Sequence, residues 1–507
     1  MQEVPELNNE FDTIDAATGV PGLDEVTSGG LARGRVFLLE GNPGTGKTTI
    51  ALRFLLTGAE QGERGLYVSL SESEDELRAG ATSHGWTLGP EIDIFEFAPE
   101  GVETDQHQTL FHSYDLELGE TVKRICDRIE EIKPARIVLD SLSEIRLLAQ
   151  NSQRYRRQAM ALKRFFSQYH ATVLLLDDLT TEGVDRTVHS VVHGVMKLEE
   201  LAPSYGAERR RIRISKYRGR AYRGGFHDFT IRTGGVHVFP RLVASEHRAQ
   251  HKPRTIESGI AELDTLLGGG LTQGSSALII GPSGTGKSTF VLQYIAEAVR
   301  RGEKAAYFIF DEELGLLFDR AKGMGFDLRT MRDAGQLHIE QLDAAELSPG
   351  EFAHRVRETV DHAQAKTVAI DSLNGYQAAM PEENALILHI HELLQYLNRT
   401  GATTFLTVAQ HGLVGDMKSP VDVTCLADTV ILLRYFEAMG KVRRAVSVIK
   451  KRTGTHEDAI REFRIGGAGL SLGDPLNQFQ GVLRGVPTFV GTSAPLMESR
   501  TENHGRT

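Results

Sequence analysis

Short apolar runs alternate with stretches of helical apolar spacing along this chain, and the alternation occurs twice. Val36-Phe37-Leu38-Leu39 and Ala277-Leu278-Ile279-Ile280 contain no polar residue, which predicts strands buried on both faces. A glycine-rich loop follows each run. Beyond it, Ile50, Phe54 and Leu55, and in the second case Phe290, Ile295 and Val299, recur at helical intervals. Leu66 to Leu70 runs into Ser71-Glu72, and Tyr307 to Phe310 runs into Asp311-Glu312-Glu313. Ile137-Val138-Leu139 and Val368-Ala369-Ile370 end on Asp140 and Asp371. Strands that alternate with helices in this way predict an α/β fold.

The two series are copies of one another. Gly41 and Gly281 stand 240 positions apart, and the same offset relates Thr18-Gly19-Val20 to Ser258-Gly259-Ile260 and Gly29-Gly30-Leu31 to Gly269-Gly270-Leu271. Loop insertions and deletions change it to 231 for Asp140 and Asp371, and to 234 for Lys216 and Lys450. A chain of 507 residues is too long for one ordinary core. We expect one domain over 1–246, a second over 247–488 and a flexible tail over 489–507. The polar stretch from Ser245 to Pro253 is the natural linker.

Chemistry enters at the loops. Gly41-Asn42-Pro43-Gly44-Thr45-Gly46-Lys47-Thr48 and Gly281-Pro282-Ser283-Gly284-Thr285-Gly286-Lys287-Ser288 both fit G-x-x-x-x-G-K-[ST]. In that motif backbone N–H groups curl around phosphate oxygens, the lysine reaches the β- and γ-phosphates and the last hydroxyl holds Mg²⁺. Thr49 and Thr289 follow at the start of each helix, whose N-terminus faces the anion. The expected ligands are therefore ATP and Mg²⁺. Asp140 and Asp371 are expected to order the metal's water shell beside Thr48 and Ser288, with helix capping as the alternative. A hydrolase also needs a carboxylate to polarise water, and Glu72 and Glu312 stand at equivalent strand ends, with Asp311 a further candidate. Lys216-Tyr217-Arg218 and Lys450-Lys451-Arg452 follow β-like runs. They are placed to meet a neighbouring subunit's γ-phosphate, or else to form a solvated basic edge.

Net charge of −11 argues against nucleic acid as the main partner, because phosphate binding leaves a basic footprint. Cys126 and Cys425 lie far apart without metal-ligand spacing, and no stretch reaches the length of a membrane span. A cytoplasmic protein is expected.

Tandem loops, Gly-rich lead-ins, two Asp-Ser-Leu strand ends, the acidic pair and the Lys-x-Arg trios together resemble the KaiC family, from about Phe11 to Phe489. The resemblance implies two tandem RecA-like P-loop NTPase domains, each a mainly parallel sheet with helices on both faces. It implies a double-ring homohexamer with ATP between subunits, a slow ATPase in the first half, and autokinase, autophosphatase and ATPase activity in the second. It also implies a signalling or timing role and a KaiB-like or other signalling protein as partner. Under it, Glu72 activates water in the first half, and Asp311 and Glu312 occupy the place of a glutamate pair that serves as general base for kinase chemistry in the second. Departures accompany it. Thr424 and Cys425 stand where clock members carry an adjacent Ser-Thr phosphoacceptor pair, so Thr424 is the single acceptor candidate and a plain surface threonine is the alternative. Ser71 replaces the first glutamate in one half, and Asp311 shortens it in the other. Two other functions stay open: a RecA- or DnaB-like nucleic-acid-dependent ATPase, and a nucleotide-gated signalling scaffold with little turnover.

Overall fold

The computed structural model describes residues 15–97, 113–179, 187–203, 206–247, 254–378, 380, 383–410, 424–484 and 488–490. Most of the expected linker and nearly all of the expected tail lie outside the described residues. Contacts divide the chain into two compact units between Arg241 and Leu242. This falls a few residues ahead of 246, because Leu242 and Ala244 are buried in the second unit and Arg399 Nη1 donates to the Ala244 carbonyl at 2.8 Å.

The first unit is built on a nine-stranded sheet, in the order Ile92–Glu96, Gly65–Ser69, Arg136–Asp140, Thr172–Asp178, Val36–Gly41, Gly194–Leu201, Arg209–Tyr217, His227–Arg232 and Gly235–Phe239. The six strands up to Gly194–Leu201 run parallel, and the rest close the sheet as antiparallel neighbours. Val36 and Leu38 pack into one core and Phe37 and Leu39 into another, as strand alternation requires when helices cover both faces. The second unit repeats this order with Leu337–Gln341, Ala305–Ile309, Thr367–Asp371, Thr403–Ala409, Ser276–Gly281, Thr429–Ala438, Lys441–Lys451, Arg461–Gly466 and Gly469–Pro475. Leu278 and Ile280 face one of its cores, Ala277 and Ile279 the other. Each unit is thus a mainly parallel α/β sheet of the expected RecA-like kind. Among the described residues no helix is long and apolar enough to cross a membrane.

Two local features position the chemistry. The loop helices span Lys47–Glu60 and Lys287–Arg300, longer than the apolar spacing alone predicts. The helices after the strand-end acids, Glu74–Ser83 and Leu314–Gly323, start immediately beyond Glu72 and Glu312 because Ser73 and Glu313 cap them with their side chains. Ser73 and Glu76 form a reciprocal capping box.

Candidate active sites

Both loops lie at the carboxyl ends of the parallel strands, where ligand crevices form in open α/β sheets. Gly44, Gly46, Gly284 and Gly286 have φ of 83°, 94°, 76° and 105°, a left-handed backbone that only glycine adopts freely. A Cβ on Gly46 would meet Ile231 Cδ1 at 2.7 Å, and one on Gly286 would meet Ile465 Cδ1 at 2.5 Å, so core packing also excludes larger residues. Thr45 and Thr285 are fully buried and spend their hydroxyls on the loop, donating to Asn42 O at 2.7 Å and Pro282 O at 2.8 Å. Gly41 and Gly281 end the strands from which the loops spring.

The lysines fold into these loops. Lys47 Nζ donates to Gly41 O and Asn42 O, each at 2.9 Å; Lys287 Nζ donates to Gly281 O at 3.0 Å and Pro282 O at 2.9 Å. Burial pulls the Lys287 pKa down, and the charges of Asp371 and Asp311 oppose that. Lys47 also pairs with Asp178 Oδ1 at 2.6 Å, a contact with no counterpart at Ala409, which holds the same register position against Gly281. Thr49 Oγ1 lies 3.4 Å from His84 Nε2, and Thr289 Oγ1 lies 3.6 Å from Met324 Sδ, so both pin their helix to the segment after the acid-bearing strand.

Asp140 and Asp371 do not cap helices. Each accepts a hydroxyl hydrogen bond from the neighbouring strand, Tyr67 to Asp140 Oδ2 at 2.5 Å and Tyr307 to Asp371 Oδ2 at 2.7 Å. Asp371 accepts another from Thr407. Burial, then the aspartate's charge, holds both tyrosines protonated, far above their ordinary range. Burial also raises the Asp140 pKa, with Asp178 adding to the rise and Tyr67 and Lys47 countering it. Thr48 follows Lys47 in the first turn of its helix, and Ser288 lines a cavity of about 490 Å³ together with Lys287, Asp311, Glu312, Arg320 and Asp371. Loop, hydroxyl and carboxylate thus converge in a donor set that fits a hard divalent cation on a triphosphate. The tyrosines were missed in the sequence, although Tyr67 and Tyr307 share the offset that relates the loops.

Strand-end acids differ between the halves. Ser69 Oγ accepts from the Glu72 N–H at 3.0 Å and donates to its carbonyl at 2.5 Å, fixing the backbone. Burial raises the Glu72 pKa, and Asp140, Glu76 and Asp178 push it further up against Lys47. In the second half Arg320 grips Glu312 through two parallel bonds, and the Ser372 hydroxyl donates to Asp311.

The basic trios stand at the opposite end of the sheet from their own loops, because Tyr217 pairs with Gly194 and Lys451 with Thr429 at the amino ends of the strands beside the loop strands. Lys216 donates to the carbonyls of His189 and Val192, and Arg218 to that of Ser190. Lys450 donates to Thr424 O and Ala427 O, each at 2.9 Å, and Arg452 to Cys425 O at 2.7 Å. The middle residue of each trio holds the glycine-rich lead-in: Tyr217 donates to Gly30 O and Lys451 to Gly270 O, both at 3.0 Å. Lys450, Arg452 and Thr424 do not line the cavity around Lys287. Neither cysteine forms a disulfide among the described residues, and Cys425 is exposed.

A tandem pair of P-loop α/β units defines the class of protein. A family model described as "ATPase: KaiC" matches residues 16–243 and again 256–476, and the chain belongs to that family. Among its relatives, the circadian clock protein KaiC3 of Synechocystis sp. is 28% identical over 507 residues, covering 96% of this chain and 97% of its own. The circadian clock oscillator protein KaiC of Synechococcus elongatus is 28% identical over 501 residues, covering 96% of this chain and 94% of its own.

Proposed function

We propose that the protein binds Mg-ATP in each half and hydrolyses it at both sites, faster in the first, within a double-ring hexamer whose subunits share each site. Gly41 to Thr49 and Gly281 to Thr289 would cradle the phosphates. Thr48 with Asp140, and Ser288 with Asp371, would hold Mg²⁺, which when bound neutralises charge on the phosphate oxygens. The observation that carries the reading is Glu72. It stands at the end of the strand beside Asp140 with its basicity raised by burial, and no ion pair holds its carboxylate among the described residues. There it would draw a proton from the attacking water.

Lys216, Arg218, Lys450 and Arg452 fit a role towards a neighbour's γ-phosphate, because each stands at the far end of the sheet from its own loop. Under the same arrangement Thr424 would meet a neighbour's nucleotide, since Lys450 holds its carbonyl, which makes it the acceptor for a slower autokinase reaction. The clock proteins among the relatives support a timing or signalling output, with a KaiB-like or other signalling protein as partner. Size determination with and without Mg-ATP, together with a nucleotide count per chain, tests the core of the reading. One nucleotide per chain, or a monomer at saturation, would sink it. Arg218→Ala and Arg452→Ala should retain nucleotide while turnover falls, and phosphosite mapping with [γ-³²P]ATP tests Thr424.

A further inference from the structure

Arg320 and Gly80 stand 240 positions apart, at equivalent places on the helices that follow the strand-end acids. Arg320 Nε donates to Glu312 Oε1 at 2.9 Å and Nη2 to Oε2 at 2.5 Å, and both residues line the cavity around Lys287. A water must give its proton to a carboxylate oxygen. Both oxygens of Glu312 are already engaged by a rigid planar fork, a geometry that fixes orientation as well as charge. Glycine at position 80 offers Glu72 no such partner. The Ser372 hydroxyl donates to one oxygen of the neighbouring Asp311, whose side chain is one methylene shorter than that of Glu312.

We propose that Arg320 is a positioning residue that holds Glu312 back from water, so that one side chain sets the second site's hydrolysis below the first's. The inference rests on the hydrolysis proposed at both sites and takes Glu312, which stands 240 positions from Glu72, as the second site's water-directed carboxylate. It deepens that reading, because it turns the difference between the halves into a device that one substitution can transfer.

The test uses the full chain with Glu72→Gln, so that first-site turnover is cut about 10²-fold and the second site's dominates. Arg320→Gly should raise second-site kcat about tenfold with KM little changed, since a base is freed and no phosphate contact is lost. Arg320→Lys should fall between the two, because an ammonium cannot fork across both oxygens. In the otherwise native chain Gly80→Arg should slow the first site. A Cβ there meets no heavy atom within 4 Å, so the substitution has room. A second readout needs no nucleotide: the infrared carboxylate band should shift between parent and Arg320→Gly, and the shift should vanish when Glu312→Gln is added. An unmoved band, or a lower kcat in Arg320→Gly, would overturn the proposal; the lower kcat would assign Arg320 to the phosphates. Equal, measurable second-site rates with and without Arg320 would sink the inference alone. ATP left intact at the second site in both proteins would sink the hydrolytic reading, and the inference with it.

Discussion

The two halves share a sheet order, a loop and a tyrosine-held aspartate, yet the ground beneath their loops is chemically opposite. In the first half Glu40 and Asp177 sit side by side on paired strands; Glu40 bonds His189 Nε2 at 2.7 Å, and Asp177 pairs with Arg146. Burial, against the pull of Arg146, still lifts Asp177 to about 6. In the second half Ile280 and Val408 hold the same register and belong to the hydrophobic core. The contrast shows that the scaffold fixes where phosphate goes, while residues one layer away decide how charged that place is. The acids sort in the same manner: Glu72 is unclamped and raised, Glu312 is forked by Arg320.

The largest expected effect tests what the halves share. Lys47→Ala or Lys287→Ala should each weaken nucleotide binding about 10³-fold in its own half and leave the other loaded, because two charge-assisted phosphate contacts disappear. Retained nucleotide, counted after rapid desalting, checks this. A variant that empties both halves would show that the sites are not independent.

Next comes the acid that differs. Glu72→Gln should cut first-site turnover about 10²-fold, whereas Glu312→Gln should cost the second site far less, since its carboxylate is already restrained. The sign of the pH dependence follows from the raised Glu72 pKa. A general base works deprotonated, so first-site turnover should fall as pH drops through a value above the ordinary 4.5 of glutamate. Single-site rates across pH, with the other site silenced, read both effects. Equal losses in the two variants would erase the distinction drawn between the acids.

Much of this was legible in the residues. Unbroken apolar runs announced strands buried on both faces, and offsets of 240, 231 and 234 placed loops, aspartates and trios in matching copies. Pairings were not legible. Periodicity reports which face is buried but not which neighbour a polar side chain finds across the sheet. Asp178 reaches Lys47 only because Thr172–Asp178 pairs in register with Val36–Gly41. Nothing in the sequence pairs Arg320 with Glu312, and only the fold turns it onto that carboxylate. The trios, read from the sequence as meeting another subunit's phosphate or else forming a solvated basic edge, hold by its carbonyls the turn ahead of the strand beside them.

The smallest effect isolates that cross-strand contact. Asp178→Ala copies the alanine that the second half carries at this register position, and it leaves Lys47 with its two loop carbonyls. A lysine that must leave a carboxylate before it can meet a triphosphate binds more weakly than one that need not. The pair is partly exposed, so the difference is about 1 kcal/mol, or about fivefold in Kd. First-site affinity should therefore tighten by that factor and second-site affinity should stay constant. Asp178 also pushes the Glu72 pKa upward, so the same variant should move the acid limb of first-site turnover to lower pH. Titration of a fluorescent ATP analogue with the second loop disabled reads the affinity. A weaker first site in Asp178→Ala would mean that the carboxylate helps to hold the loaded loop, and that the two halves differ in how they bind ATP as well as in how they cleave it.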